Sequence, residues 1–175
     1  YAHSSELSGA ALRRAADAVS AVKAGYAGTL ADAPAKTNRH LYGEANPIEQ
    51  PAFEAKAKIL QEIDAYLRGR ELFESHIDEA SERAALAKLE QAIAIDPDYA
   101  AARALRSRTL AVIANQYATA VERKALYSEA VTEAQKAAKA APNFAPAYAA
   151  LGYALFYGRL DAAAARKPYE QAYAL

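Results

Sequence analysis

Two matching stretches decide the fold: Ile95-Asp96-Pro97-Asp98-Tyr99 and Ala141-Pro142-Asn143-Phe144. Pro97 corresponds to Pro142, 45 positions later, and the aromatic residue two positions on is repeated at the same distance. An Ala-rich amphipathic segment precedes and follows each stretch. Because Pro, Asp and Asn interrupt helices, both stretches mark turns, and the repeating unit is predicted to be an antiparallel pair of helices.

The rest of the chain has helical periodicity and no strand-like alternation, so the sequence predicts an all-α fold. Pro51 suits a first helical turn, and Asp78 is a candidate N-cap. The predicted helices cover residues 8–31, 51–75, 79–95, 98–116, 119–140, 144–157 and 161–174.

Residues 33–50 form the longest predicted loop, because Pro, Asn, Gly, Lys and His replace the helical pattern there. The loop divides the chain into residues 1–50, an N-terminal helix and loop, and residues 51–175, the helical repeats. The predicted repeat units are 51–97, 98–142 and an incomplete 143–175. Since the chain begins at Tyr1 and stops within a helical pattern, we expect it to be a fragment of a longer protein.

Composition excludes several classes of function. The 175 residues include no Cys, which rules out disulfides, zinc thiolates and iron–sulfur clusters. The 21 basic residues balance 21 acidic ones, so the overall field does not favour nucleic acid or an anionic membrane. No apolar run approaches the ~20 residues that span a bilayer, and we expect no membrane insertion. The sequence leaves the compartment open between cytoplasm and periplasm.

No constellation of side chains predicts catalysis, a metal site or a cofactor. The three histidines, His3, His40 and His76, lack the i, i+4 histidine partner that helical metal sites use. No Ser occupies a Gly-flanked nucleophile turn, and no phosphate-binding loop is present. We therefore expect a protein that is not an enzyme and has no cofactor.

The N-terminal helix carries an apolar stripe with spacings of three and four residues: Leu12, Ala15, Val19, Val22 and Tyr26. We expect this stripe to pack on the second and third helices of the same chain, and so to cap the repeats. The 3.5-residue average spacing also fits a coiled-coil seam, through which the chain would form a homodimer. The sequence leaves both alternatives open.

Residues 60–175 resemble the tetratricopeptide repeat, a helix pair of ~34 residues with small residues at the helix crossing and Pro after the second helix. The last unit carries the resemblance at Tyr148, Leu151, Gly152, Leu155, Tyr169 and Ala172, and the first unit at Gly69, Leu72, Ala85, Leu89, Ala92 and Pro97. The middle unit keeps Leu110, Ala130, Ala134, Ala137 and Pro142. However, it has Arg103, Arg106 and Ser107 where the family has an aromatic residue, Leu and Gly.

The resemblance implies a solenoid of about three antiparallel helix pairs with an N-terminal capping helix. The middle unit is 45 residues long and therefore exceeds the family length by about 11 residues. Residues 112–121 contain no Gly or Pro. We therefore expect the additional length around these residues, as extra helical turns.

Two shorter motifs narrow the resemblance: Asp64-Ala65-Tyr66-Leu67-Arg68-Gly69-Arg70 and Gly158-Arg159-Leu160-Asp161. They are similar to the repeat domains attached to bacterial class III adenylate cyclases and to membrane-anchored winged-helix regulators. The resemblance implies a non-enzymatic protein-interaction module of a larger bacterial regulatory or scaffold protein. The alternative is a structural or dimerisation module of such a regulator.

The resemblance also implies a concave groove lined by the first helix of each pair. Repeat positions counted from Gly69, Ser107 and Gly152 place six aromatic or basic residues there: Tyr66, Arg70, Phe73, Arg108, Tyr153 and Phe156. The same count adds Ile63, Ala101, Ala104, Ala111, Pro146 and Ala149. Since Arg binds carboxylates and aromatic side chains give flat apolar contact, the expected ligand is a peptide or protein segment.

The alternative interpretation of these positions is structural. In that interpretation Phe73 and Phe156 belong to the core, and the two arginines are ordinary charges that face solvent. The Lys and Asn residues with which one subclass of the family clamps a C-terminal carboxylate are not matched, because no Asn stands at those positions.

Overall fold

The computed structural model of the protein describes residues 9–27 and 50–175. Over these residues the chain is all-helical and has no strand, which confirms the prediction of an all-α chain. The helices are α1 (Gly9–Ala27), α2 (Gln50–Ser75), α3 (Glu79–Ile95), α4 (Ala100–Gln116), α5 (Ala120–Ala140), α6 (Ala145–Arg159) and α7 (Ala162–Ala174). From α2 onward, every predicted helix end lies within two residues of the observed one. Residues 28–31 of the first predicted helix and residues 33–49 of the predicted loop lie outside the described residues, as do His3 and His40.

Turns of two to four residues connect the helices from α2 to α7, and in three of the five turns a side chain caps the next helix. The Asp78 carboxylate accepts a hydrogen bond from the Ser81 amide at 2.8 Å, which confirms the predicted N-cap. Thr119 and Glu122 form a reciprocal capping box at the start of α5. Because such short turns leave no room for a crossover, successive helices pack as antiparallel neighbours.

The middle pair of helices is continuous except for a three-residue turn. Helix α4 has 17 residues and α5 has 21, and only Tyr117, Ala118 and Thr119 separate them. Residues 112–116 and 120–121 are therefore helical, as expected, whereas residues 117–119, where additional helical turns were also expected, form the turn. Helix α4 is no longer than α3, which also has 17 residues.

Each helix pair crosses at a small residue. A Cβ atom on Gly69 would lie 2.9 Å from the nearest side-chain atom of α3, and one on Gly152 would lie 2.9 Å from the Tyr169 ring. In the middle pair Ser107 takes the same place, and its buried hydroxyl donates to the Ala130 carbonyl oxygen at 2.8 Å. The crossings therefore need a residue with a very small side chain.

The order of contacts places the first helices of the pairs side by side. Helix α2 packs on α3, α4 on α5 and α6 on α7. In addition, α4 packs on α3 and α6 packs on α5, while α4 also contacts both α2 and α6. Leu89, Tyr99, Leu110 and Ile113 are almost completely buried between these helices. As a result α2, α4 and α6 are adjacent although they are far apart in sequence.

Ion pairs occupy the positions where the middle unit departs from the repeat pattern. Arg103 contacts the carboxylate of Glu133, which is only 5 % exposed, and Lys136 donates to it at 2.9 Å. Arg106 pairs with Glu129 on the same side of α5. Burial alone would raise the pKa of Glu133, but the hydrogen bond from Lys136 and the charge of Arg103 outweigh it and lower that pKa.

Helix α1 packs on α2 through a different face from the predicted one. Ala11 and Ala18 are buried, whereas Leu12 and Val19 are 53 % and 50 % exposed. The predicted stripe was therefore wrong at these two positions, and α1 packs on α2 rather than on both α2 and α3. The small alanines allow a closer approach to α2 than the larger residues beside them. The side chain of Tyr26 lies outside the described part of the chain.

A buried ion pair fixes the rotation of α1. Arg14 contacts the carboxylate of Glu62 on α2, and the Glu62 side chain is completely inaccessible to solvent. Because a buried carboxylate requires a cationic or hydrogen-bonding partner, this pair directs the Arg14 face toward α2. The neighbouring row with Leu12 is thereby turned outward.

Candidate protein-interaction groove

A groove of ≈ 420 Å³ lies between α2, α4 and the start of α6. It is lined by Tyr66, Arg70, Phe73 and Glu74 from α2, by Ala101, Ala104, Leu105 and Arg108 from α4, and by Phe144, Pro146 and Ala149 around the start of α6. Its walls are mainly apolar, and the charged groups stand at separate points of the lining. We refer to this set of residues as the groove.

The structure brings four of the six predicted site residues into the groove: Tyr66, Arg70, Phe73 and Arg108. It also brings together the small residues of the same predicted register, namely Ala101, Ala104, Pro146 and Ala149. Ile63 and Ala111, which the same count also predicted, are not in the lining, and Ala111 is completely buried. The count of positions from Gly69, Ser107 and Gly152 thus identified most, but not all, of its residues on one surface. Sequence reasoning missed Glu74, Leu105 and Phe144, which also line it.

The other two predicted residues lie beside the groove. Tyr153 contacts the groove residue Arg108, whose guanidinium carbon lies 4.8 Å from the centre of the Tyr153 ring. Phe156 is not part of the groove lining. It is 40 % exposed, and its ring packs edge-on against Tyr157 with 5.0 Å between ring centres.

The two aromatic residues of the groove that come from α2 line its wall and also belong to the hydrophobic core. Tyr66 is 8 % exposed and stacks at an angle on Tyr99, with 5.2 Å between ring centres. Phe73 is 9 % exposed and packs in a cluster with Ala85 and Val112. Each ring therefore contributes a small exposed part to the groove wall and most of its surface to the core.

Arg108 is the cation of the groove that has no counter-ion. Its Nε atom is buried and has no hydrogen-bond partner, and no carboxylate of the described chain forms an ion pair with it. Its charge is held over the π face of Tyr153. A cation in this state retains donors for an incoming acceptor.

Arg70 stands at the other side of the groove in a different state. Its Nε atom lies 3.8 Å from a Glu74 carboxylate oxygen, one helical turn later. Its guanidinium carbon is 5.7 Å from the centre of the Tyr66 ring. Arg70 and Glu74 therefore largely compensate each other, and the uncompensated positive charge of the groove is that of Arg108.

Tyr153 stays a neutral phenol beside Arg108. Burial raises the pKa of its hydroxyl and the nearby Tyr157 adds to this effect, while Arg108 partly opposes it. The ring therefore acts as an uncharged platform for the guanidinium near neutral pH.

A second, larger cavity of ≈ 540 Å³ lies near the start of α1 and is lined by Arg13, Asp98, Arg103, Lys136 and Lys139, among others. Two of its cations, Arg103 and Lys136, are already paired with Glu133. Its lining is more polar than that of the groove, and its only apolar residues are the small Gly9, Pro97 and Ala140. We therefore regard the groove as the better candidate for a binding site.

Within residues 9–27 and 50–175, no three acidic or histidine side chains come together as ligands for a metal ion. None of the helices in these ranges combines the length and apolar character needed to cross a lipid bilayer. A scan against protein-family models finds no match, and comparisons with curated proteins and with solved structures find no significant similarity.

Proposed function

We propose that this protein is a non-enzymatic protein-interaction module, and that the groove binds a peptide or protein segment of its partner. The observation that carries the proposal is Arg108, an uncompensated cation at the edge of an apolar groove. The groove volume lies in the range of ≈ 300–1,000 Å³ typical of ligand sites. Apolar walls with one directed polar group are typical of surfaces that hold an anchoring side chain.

We further propose that the three helix pairs α2–α3, α4–α5 and α6–α7 are a short tetratricopeptide-like solenoid, with α1 as its cap. The proposal is supported by the small residue at each crossing and by the groove that the first helices of the pairs share. Attachment to a larger bacterial regulatory or scaffold protein is part of the same proposal, and rests on the two short sequence motifs.

The experiment is a selection of random displayed peptides on the full chain, followed by binding assays on groove variants. Ala149→Trp places a large ring in the groove, and Ala125→Trp places the same ring on an exposed position of α5. We expect the selected peptides to bind the wild type and Ala125→Trp and to lose binding to Ala149→Trp. Circular dichroism would verify that both variants are folded. Binding that survives Ala149→Trp, or no enrichment of groove-dependent peptides, would refute the proposed function.

Dimerisation is the second candidate function, and one observation favours it. Leu12 and Val19 on α1 are exposed at a seven-residue spacing, and so are Phe53 and Leu60 on the adjacent α2. A cavity of ≈ 250 Å³ with Val19 and Leu60 in its lining separates the two helices. Apolar rows repeated every seven residues are typical of helices that pack on other helices.

Analytical ultracentrifugation of the full chain tests this second candidate. A homodimer through this face should dissociate in Leu60→Glu, because the charge would be buried in the interface. Val121→Glu is the matched control, since Val121 is 85 % exposed and lies on α5. A wild type that remains monomeric at high concentration would exclude the dimer.

A further inference from the structure

The geometry of the groove points to one class of ligand: an extended peptide segment with an internal Asp or Glu whose side chain pairs with Arg108. An apolar side chain of the same segment occupies the remaining volume of the groove. This inference rests on the proposed function, because it names the chemistry of the ligand that the groove binds.

The first step is the charge balance of the groove. Arg70 has Glu74 within 3.8 Å, whereas Arg108 has no carboxylate partner among the residues that the structure describes. The Nε atom of Arg108 is buried, and no hydrogen bond or ion pair within the described residues uses the terminal nitrogens of this side chain. A ligand carboxylate would therefore form charge-assisted hydrogen bonds with these terminal nitrogens without breaking an existing ion pair.

The second step concerns the position of Arg108 at an apolar wall. Its guanidinium carbon lies 4.8 Å from the centre of the Tyr153 ring, so the ring limits the rotational freedom of the cation. Since the cation is already oriented and partly desolvated, less entropy is lost when a carboxylate binds. Lys at this position would offer a point charge without the planar fork.

The third step distinguishes an internal acidic side chain from other anions. A phosphate carries nearly two negative charges, and the groove supplies only one uncompensated cation. A terminal carboxylate is bound most firmly by several donors that converge at a closed end. The groove instead runs between three helices, and its second arginine is paired with Glu74. The single uncompensated charge of Arg108 is matched best by one side-chain carboxylate of a peptide segment that lies along the groove.

The fourth step is the apolar neighbour. A carboxylate on Arg108 leaves most of the ≈ 420 Å³ unfilled, and the remaining walls are formed by Phe73, Leu105 and Phe144. Burying an aliphatic or aromatic side chain against them removes apolar surface from water. The ligand is therefore an acidic residue with a large apolar residue close to it in sequence.

The test uses synthetic peptides from the groove-dependent selection, with amidated C-termini, titrated against the full chain by fluorescence anisotropy. Arg108→Gln should weaken binding by about 10- to 100-fold, as should Asp→Asn or Glu→Gln in the peptide. Combining the two changes should cause no further loss, because both remove the same ion pair. Arg68→Gln is the matched control, since Arg68 lies on α2, is 62 % exposed and pairs with Asp64.

Each outcome decides the inference. Groove-dependent peptides without an acidic residue, or additive losses in the double change, would overturn it and leave the proposed function intact. A gain of about tenfold or more for the same peptide with a free C-terminus would show that a terminal carboxylate is the true ligand, and would also overturn it. Should Arg108→Gln fail to fold, Arg108→Lys and the peptide variants provide the same comparison. Failure to obtain any groove-dependent peptide would refute the proposed function itself, and the inference with it.

Discussion

Replacing Gly158 by Ala is expected to destabilise the protein, although Ala is the better helix former. A Cβ atom at this position of α6 would lie 2.7 Å from both Cβ and Cγ of Tyr127 on α5. Tyr127 is 5 % exposed, and its Cβ cannot move without its backbone. Helix propensity favours Ala over Gly by about 0.5–1 kcal/mol, while overpacking typically costs about 1–3 kcal/mol. We therefore expect a net loss of up to about 2.5 kcal/mol, with a central value of about 1 kcal/mol.

Urea denaturation followed by circular dichroism would measure this loss. With an m-value of about 1–3 kcal/mol/M, the midpoint should fall by several tenths of a molar unit. Gly9→Ala is the control, because a Cβ there would meet only the end of the Arg13 side chain, at 3.4 Å. If Gly158→Ala stabilised the protein as much as Gly9→Ala, the close packing of α6 on α5 would be refuted.

Three further predictions concern buried charges. Arg14→Ala should cost about 1.5–3 kcal/mol in unfolding free energy, because it removes a charge-assisted hydrogen bond to the inaccessible Glu62 carboxylate, while Arg13→Ala should leave stability nearly unchanged. His76→Asn should cost about 1–3 kcal/mol by removing the 2.9 Å contact to the buried Glu82 carboxylate, and Asn tolerates the backbone φ of 43°. In the folded protein the pKa of the Glu133 carboxyl lies below its ordinary value of 4.5. The stabilisation that the ionised Glu133 provides should therefore be complete above pH 4.5 and should be lost as the pH falls through the lower, folded-state pKa. Denaturation of Glu133→Gln and wild type across pH 2.5 to 7 should therefore show curves that converge in acid; parallel curves would contradict this assignment.

Helix boundaries were predictable because local signals determine them. The Asp78 side chain caps α3 by accepting a hydrogen bond from the backbone amide of the third residue of that helix, and Thr119 caps α5 in the same way. Pro97 and Pro142 follow helix ends whose backbones are extended, as the sequence indicated. Such signals act within a few residues, so they can be recognised without knowledge of the tertiary structure.

The helix positions that face the groove were also predictable, because the small residue at each crossing determines the rotation of each helix about its own axis. Ser107 stands at one crossing in place of Gly. The helices can still approach closely there because its hydroxyl donates a hydrogen bond to the Ala130 carbonyl oxygen of the facing helix. Counting from these positions therefore placed Arg70 and Arg108 on one surface. Phe144 was missed because it precedes α6 in a turn, where the direction of a side chain depends on turn geometry rather than on helical period.

The face of α1 was not predictable from apolar periodicity alone. The row with Leu12 and Val19 is more hydrophobic than the row with Ala11 and Ala18, yet the alanines are the buried ones. The decisive contact is the ion pair of Arg14 with Glu62, 48 residues later. A long-range contact between charged groups leaves no periodic signal in the sequence.

The central claim, that the groove is the binding surface, is tested most directly by protection of a single thiol. The protein has no cysteine, so Ala149→Cys introduces one reactive group in the groove and Ser128→Cys one on the exposed face of α5. With a selected peptide at about 100 times its Kd, alkylation of the Ala149→Cys thiol by iodoacetamide should slow by at least ~10-fold. The Ser128→Cys thiol should react at the same rate with and without peptide. An unprotected thiol at position 149 while the peptide is bound would contradict the claim.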